Sequence, residues 1–180
     1  MNHRGTALLD TKRLLLRRFE EKDINELYDG YIYQDEFLYY ANKEHKTLEE
    51  VEGYIKRQLE RYESKDVYNW CIALKNTYAI IGAINLRVND YNNSVEFNYA
   101  IDNRYINNGY MTEALIAVKE FCMNELKVKR FQGGCCVENL ASEKVMKKIG
   151  MKHEGTLKAN VKLIDGYHDM HMYSLINEEE

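Results

Sequence analysis

Proline is absent from this chain of 180 residues, and glycine is scarce, with ten residues. Linkers between domains are usually rich in one of these residues, and no segment of that kind interrupts the chain. There is also no internal repeat and no low-complexity segment apart from the acidic residues 178–180. A length of 180 residues suits one domain with a substantial core. We therefore expect a single domain over residues 1–180, with its core at about residues 11–177.

Long apolar runs are lacking too. No run approaches the roughly 20 residues needed to cross a membrane as a helix, and residues 1–5 lack the apolar stretch of a secretory signal. The hydrophobic share of 45% and the charged share of 30% are typical of a soluble globular protein. These features predict a cytoplasmic protein without a membrane partner.

The four cysteines lack the C-x-x-C spacing of many metal and redox sites, and the adjacent pair Cys135 and Cys136 is a poor disulfide framework. We expect reduced thiols. His168 and His171 lie three residues apart on a predicted strand, so they point to opposite faces and do not chelate one ion. No metal site is predicted. The net charge of -4 argues weakly against nucleic acid as a partner and is compatible with a cationic substrate.

The most informative stretch covers residues 94–115, where the period of the apolar residues changes. Val95, Phe97, Tyr99 and Ile101 alternate with other residues, which predicts a strand whose two faces differ. From there a spacing of three or four predicts a helix, with Met111, Ala114, Leu115, Val118, Phe121, Cys122 and Leu126 on one face. The turn at residues 104–109 has no acidic group. Free N–H groups at a helix start bind anions, so the pattern predicts a phosphate site.

The same periodicities predict the rest of the fold. Further strands are expected at residues 11–18, 67–74, 79–88, 130–137, 151–162 and 168–176, and helices at about 21–33, 47–62 and 139–149. Thr47 and Glu50 form a capping-box pattern. The long helix between residues 101 and 130 favours a parallel crossover. We predict an α/β (α+β) domain: a mixed, twisted, mostly antiparallel sheet of about seven strands with a central parallel pair, and about four helices.

The motifs narrow the kind of phosphate site, since neither G-x-x-x-x-G-K-[ST] nor G-x-G-x-x-G occurs. Residues 104–109, with Arg104 first and Gly109 last, resemble the pyrophosphate loop [QR]-x-x-G-x-[GA] of the GNAT N-acetyltransferase superfamily, which holds acetyl-coenzyme A. Asn107 replaces the first glycine of that motif. Asparagine tolerates positive φ, so the turn is expected to survive. Residues 110–115 resemble the helix start in the branch that acetylates the N-termini of ribosomal proteins.

A second resemblance lies in residues 139–151, which match the family pattern of Asn, then Ser or Ala three residues later, then a helix ending in Lys-x-Gly-[FM]. Asn139 and Gly150 are at least as plausible as helix caps, and Lys144 as part of a solvated face. The two resemblances together imply the following cofactor contacts: Ala100, Ile101, Arg104, Asn107, Asn108, Gly109, Tyr110, Met111, Thr112, Asn139, Ser142 and Lys144.

The resemblance also implies three catalytic residues. Glu96 stands where this branch has a strand glutamate, and is predicted to take a proton from the acceptor amine or to attract a cationic acceptor; the alternative is an exposed glutamate paired with Arg87. In many relatives outside this branch a tyrosine seven residues after the Asn protonates the leaving thiolate, but Met146 occupies that position here. Ser142 and Tyr173 are the remaining candidate acids. Their structural alternatives are a first-turn helix residue and a packed strand aromatic.

The resemblance covers residues 13–176 and implies an enzyme that moves acetyl from acetyl-coenzyme A to a primary amine. The branch suggests a protein α-amino group, such as that of a ribosomal protein. A small cationic amine of the polyamine or aminoglycoside kind is an alternative acceptor, and a non-catalytic acyl-coenzyme A binding module is an alternative function. Tyrosines at positions 28, 31, 33, 39 and 40 are expected to pack half-buried or to line the acceptor pocket. The sequence leaves open whether the protein is a monomer or a homodimer.

Overall fold

A computed structural model describes residues 1–29 and 47–178. The end of the first predicted helix, at residue 33, and the tyrosines at positions 31, 33, 39 and 40 lie outside the described residues. Their predicted roles therefore stay predictions.

The described residues form eight strands and four α-helices. In chain order these are β1 (Leu9–Asp10), β2 (Leu14–Arg17), α1 (Ile24–Asp29), α2 (Leu48–Arg61), β3 (Tyr68–Leu74), β4 (Ile80–Asn89), β5 (Ser94–Ile101), α3 (Tyr110–Glu120), β6 (Arg130–Cys136), α4 (Leu140–Lys148), β7 (Lys152–Leu163) and β8 (Gly166–Ile176). Short 3-10 turns at Glu21–Asp23 and Asn103–Tyr105 precede α1 and α3, and a π-helical turn at Phe121–Glu125 continues α3.

All eight strands belong to one sheet, in the order β1-β2-β3-β4-β5-β6-β8-β7. β5 and β6 are parallel, and the other neighbours are antiparallel. The predicted crossover through α3 and the central parallel pair are confirmed. The sheet has one strand more than the predicted seven because β1 has only two residues, too few to show a period in the sequence.

Each face of the sheet has its own core, and β5 contributes to both. Val95 and Phe97 pack on one face with the buried sides of α3 and α4. Ala100 packs on the other face, beside Cys71 and the buried residues of α1 and α2. The alternation predicted for β5 is therefore observed, and Glu96 shares its face with Ala100.

Two helix starts and one helix end use the predicted caps. The Thr47 hydroxyl accepts a hydrogen bond from the Glu50 N–H at 3.2 Å, and the Glu50 carboxylate accepts one from the Thr47 N–H at 2.9 Å. The Asn139 side chain accepts from the Ser142 N–H at 3.0 Å, and Gly150 follows α4 with φ +90°. These residues fix where α2 and α4 begin and where α4 ends.

Gly133 of β6 tests how tightly this core is packed. A Cβ atom there would lie 2.5 to 2.8 Å from three carbons of the Phe97 ring, which is also stacked on Phe131 at 4.7 Å between centroids. We expect Gly133→Ala to lower the free energy of unfolding by about 1–3 kcal/mol, measured by urea denaturation. The control is Gly155→Ala on β7, where no atom lies within 4 Å of the new Cβ. Equal losses in the two variants would contradict the packing argument.

Candidate active site

The central parallel strands separate along their length. β5 and β6 pair only at Ser94 with Arg130, Val95 with Phe131 and Glu96 with Gln132. Beyond these pairs β5 stays in register with β4, and β6 with β8. The two strands therefore diverge toward their carboxyl ends and leave a gap between them. Cofactors of open α/β sheets occupy this kind of gap.

The direction of the backbone groups along β5 follows from one hydrogen bond. The N–H of Asp102 donates to the carbonyl of Ile81 at 2.8 Å, so it points toward β4. Successive residues of a strand direct their N–H groups to alternate sides. The N–H of Ile101 therefore points into the gap, whereas that of Ala100 points toward β4. Of the two residues predicted at this strand end, Ile101 is the one whose amide faces the gap.

The loop between β5 and α3 contains two residues with left-handed backbone conformation. Asn107 has φ +61° and Gly109 has φ +77°. The prediction that asparagine can adopt this conformation is confirmed. Gly109 is the N-cap of α3, and its carbonyl accepts the first helical bond from the Glu113 N–H at 3.0 Å. The N–H groups of residues 110–112 precede that bond, so they carry the positive end of the helix dipole and form an anion cradle.

Arg104 turns back onto Asp102, a residue to which the sequence analysis gave no role. Asp102 is fully buried, and its carboxylate accepts from the Arg104 backbone N–H at 2.8 Å and from Arg104 Nε at 2.9 Å. The hydrogen bond to Asp102 raises the pKa of Arg104. The Arg104 side chain is nevertheless 60% exposed. It neutralises a buried charge at the end of β5, and its contact with the cofactor stays a prediction.

A pair of hydroxyl groups connects β5 with α4. Ser142 lies in the first turn of α4, and its Oγ is 2.6 Å from the hydroxyl oxygen of Tyr99. Burial raises the pKa of Tyr99 to about 12, so Tyr99 keeps its proton at neutral pH. The alternating pattern placed Tyr99 inside. It did not reveal the partner, because any nearby polar group can satisfy a buried tyrosine.

Tyr173 on β8 has a different partner. Its side chain is buried, and its hydroxyl donates to the Glu143 carboxylate at 2.7 Å. Lys147 pairs with the same carboxylate at 2.7 Å. Burial and the neighbouring Glu143 raise the pKa of Tyr173. The proton of Tyr173 is therefore engaged with a carboxylate, one residue along α4 from Ser142.

Glu96 lies at the last position where β5 pairs with β6, on the face opposite Tyr99. Its carboxylate accepts from the Gln132 side-chain amide at 3.2 Å, and Arg87 is its register partner on β4. Next to this pair, Asn85 and Asn98 are also register partners, and both are exposed. Glu96 is itself half-buried. A carboxylate with polar neighbours therefore stands where β5 and β6 begin to separate.

The remaining predicted contacts cluster at the start of α4. Asn139 caps the helix through its side-chain oxygen, which leaves its NH₂ group for a ligand, and Lys144 is exposed. Met146, at the position of the family's tyrosine, is fully buried. The structure thus brings together the loop of residues 104–112, the end of β5 and the start of α4, where the two strands diverge.

The cysteines, histidines, possible metal ligands and helices of the described residues bear on the predicted thiol state, metal binding and membrane association. Their four cysteines are free and buried, and they contain no group of three His, Cys, Asp or Glu side chains that could hold a metal ion. His168 bonds to Asp165, whereas His171 bonds to Thr156. None of the helices in this part of the chain is both long and apolar enough for a membrane span.

Comparison with known proteins identifies the family. Residues 13–152 match the family model of the acetyltransferase (GNAT) domain. The chain belongs to this family. It is 28% identical over 171 residues to the uncharacterized N-acetyltransferase YnaD of Bacillus subtilis (strain 168), covering 95% of this chain and 98% of YnaD.

Two further GNAT proteins are similar to this chain. The ribosomal-protein-serine acetyltransferase of Escherichia coli (strain K12) is 29% identical over 102 residues, which are 56% of this chain and 57% of that protein. The structure of RimL, a ribosomal L7/L12 alpha-N-protein acetyltransferase, in complex with coenzyme A superposes with a TM-score of 0.84 at 20% identity, covering 97% of this chain and 100% of that chain.

The predicted enzyme class is confirmed: this GNAT protein is an acetyl-coenzyme A-dependent N-acetyltransferase. Its cofactor is acetyl-coenzyme A. The described residues fit that group, because the gap between β5 and β6 offers the Ile101 amide to an acyl oxygen and the amides at residues 110–112 suit a pyrophosphate.

Proposed function

We propose that this enzyme acetylates the α-amino group of a polypeptide, such as a ribosomal protein. The observation that carries the proposal is the polar surface beside Glu96, on the sheet face opposite Tyr99 and Ser142. RimL and the Escherichia coli relative, both acetyltransferases of ribosomal proteins, support the same class of acceptor.

The side chains on this surface suit a peptide better than a polyamine. Asn85 and Asn98 are exposed neighbours, and each amide group both donates and accepts hydrogen bonds, as a peptide backbone requires. A polyamine requires several unpaired carboxylates. Among the described residues of this face, Glu154 is already bound by Arg130 at 2.9 Å and by Ser174. Glu96 belongs to the last pair before β5 and β6 separate.

We assign the catalytic roles according to the face of the sheet on which each residue lies. Acetyl-coenzyme A supplies a thioester, whose acyl group is attacked by the amine. Glu96 takes a proton from the amine on the acceptor face, directly or through a water molecule, and the Ile101 N–H donates to the acyl oxygen. Tyr99 lies three residues beyond Glu96, about 10 Å along the strand, on the opposite face.

Ser142 is the better placed of the two candidate acids. Its hydroxyl is paired with the neutral Tyr99 hydroxyl, so the two groups can pass a proton to a departing thiolate. Tyr173 donates to Glu143, and using its proton would break that bond. In the proposed mechanism Ser142 therefore acts on the thiolate and Tyr173 holds Glu143 in place.

The acceptor class is tested by thiol release from acetyl-coenzyme A over a panel of substrates. The panel contains peptides copied from ribosomal-protein N-termini, the same peptides with a blocked α-amine, polyamines and aminoglycosides. We expect turnover with free peptide N-termini and none with the blocked peptides. Turnover confined to polyamines or aminoglycosides would replace the proposed acceptor by a small cationic amine.

The role of Glu96 is tested by Glu96→Gln, which keeps size and hydrogen bonding but removes charge and basicity. A general base predicts a fall in kcat of about 100-fold or more, partly relieved as the pH rises because the amine then arrives neutral. A role in attracting the acceptor predicts a higher KM with kcat nearly intact. Wild-type kinetics at neutral pH would remove Glu96 from the mechanism.

The acid is tested by comparing Ser142→Ala with Tyr173→Phe. We expect kcat to fall by about 100-fold in Ser142→Ala, as for loss of an acid catalyst, and to change little in Tyr173→Phe, which deletes one hydroxyl and keeps the ring. Tyr62→Phe is a matched control, because Tyr62 also donates from a buried hydroxyl, to Asn69 at 2.6 Å. The opposite ranking would give the role to Tyr173, and two neutral variants would exclude both residues.

A further inference from the structure

Arg13, which immediately precedes β2, reaches the loop between β5 and α3. Its Nη1 donates to the backbone carbonyl of Asn108 at 3.0 Å, and its Nε donates to the Glu113 carboxylate at 2.7 Å. The guanidinium also lies over the ring of Tyr110, at 4.3 Å from its centroid. The other Glu113 oxygen accepts from the Arg13 backbone N–H at 2.8 Å and from the Thr11 hydroxyl at 2.7 Å. One side chain thus holds the loop and the first turn of α3 together.

The contact with Asn108 fixes the direction of the Gly109 amide, which immediately precedes the anion cradle of residues 110–112. Residues 1–29 and 47–178 contain no cis peptide bond, and in a trans peptide the C=O and N–H point in opposite directions. Because the Asn108 carbonyl points at Arg13, the N–H of Gly109 points away from it, to the other side of the loop. The left-handed conformation of Gly109 then leads directly into α3.

The contact with Glu113 removes an electrostatic conflict. Glu113 lies in the first turn of α3, where its negative charge would repel a bound pyrophosphate. Its side chain is only 19% exposed. Burial alone would raise the pKa of Glu113, but the hydrogen bonds from Thr11 and Arg13 outweigh burial and lower the pKa. Glu113 is therefore ionised at neutral pH, and Arg13 supplies the opposing charge.

We propose that Arg13 is a positioning residue for the pyrophosphate: it turns the Asn108 peptide so that the Gly109 N–H faces the anion, and it balances the charge of Glu113. The inference rests on the assignment of the cofactor phosphates to residues 104–112. It concerns cofactor binding and is independent of the identity of the acceptor.

Calorimetric titration of the full-length protein tests this role. We expect Arg13→Met to weaken binding of coenzyme A and of 3′-dephospho-coenzyme A by the same factor, about 10- to 100-fold, as for a lost charged hydrogen bond. Pantetheine lacks the phosphates, so its binding, followed by ligand-observed NMR, should be unchanged. Arg13→Lys keeps the positive charge but lacks the guanidinium that bonds to both Asn108 and Glu113. It should weaken coenzyme A binding by an intermediate factor. Arg4→Met is the matched control, because Arg4 pairs with Glu125 at 2.8 Å beyond the far end of α3.

A double variant separates the two parts of the role. If charge balance contributes, Arg13→Met combined with Glu113→Gln should bind coenzyme A more tightly than Arg13→Met alone, while staying weaker than the wild type because the Asn108 contact is lost. Equal losses for pantetheine and coenzyme A would show general damage to the site and overturn the proposal. Wild-type affinity in Arg13→Met would also overturn it. Failure of the wild type to bind coenzyme A would instead overturn the assignment of the phosphate loop.

Discussion

The separation of β5 from β6 after Glu96 and Gln132 is the constraint on which the rest of the site depends. Phe97 and Gly133 are the first residues beyond that last pair. The Phe97 ring lies directly against Gly133, where even a methyl group would collide with it. A large ring facing a residue without a side chain thus fills the core at the point of separation. The divergence is therefore built into the packing of the sheet.

The separated strands divide the site between two faces. The face shared with α3 and α4 carries Tyr99 and Ser142, whereas the opposite face carries Glu96, Gln132 and the exposed asparagines. Because neighbouring residues of one strand face opposite ways, β5 alone contributes to both. In the proposed mechanism, proton removal from the acceptor and proton delivery to the thiolate occur on different faces. Glu96 and Ser142 therefore do not have to exchange a proton with each other.

Features that depend on nearby residues were predictable from the sequence. The capping of α2 by Thr47, the left-handed Asn107 and the buried stripe of α3 each depend on residues a few positions apart. The parallel pair was also predictable, because a long helix between two strands leaves few other connections. β1 was not predictable, since its two residues are too few to show a periodic pattern.

Most of the side-chain partners within the site could not be predicted from the sequence. Arg13 meets Glu113 across 100 positions and Tyr99 meets Ser142 across 43, and no periodicity encodes such pairs. Asp102 and Arg104 are two positions apart. The sequence does not predict their pairing, because the loop motif assigns Arg104 to the ligand and not to the neighbouring carboxylate. Buried charges and buried tyrosines require hydrogen-bond partners, and for Glu113 and Tyr99 those partners come from distant parts of the chain.

In the proposed mechanism, the buried Met146 is the reason that a serine serves as the proton donor. Ser142 and Met146 are four residues apart, so they lie on the same side of α4, with Ser142 one turn closer to the start of the helix. A thioether cannot donate a proton, and Met146 is fully enclosed in the core with Phe97 and Tyr173. In the proposed mechanism the proton donor is therefore Ser142, one turn closer to the start of the helix than position 146. In that mechanism a phenol takes part from β5 instead of from the helix, because the Tyr99 hydroxyl lies 2.6 Å from Ser142 Oγ.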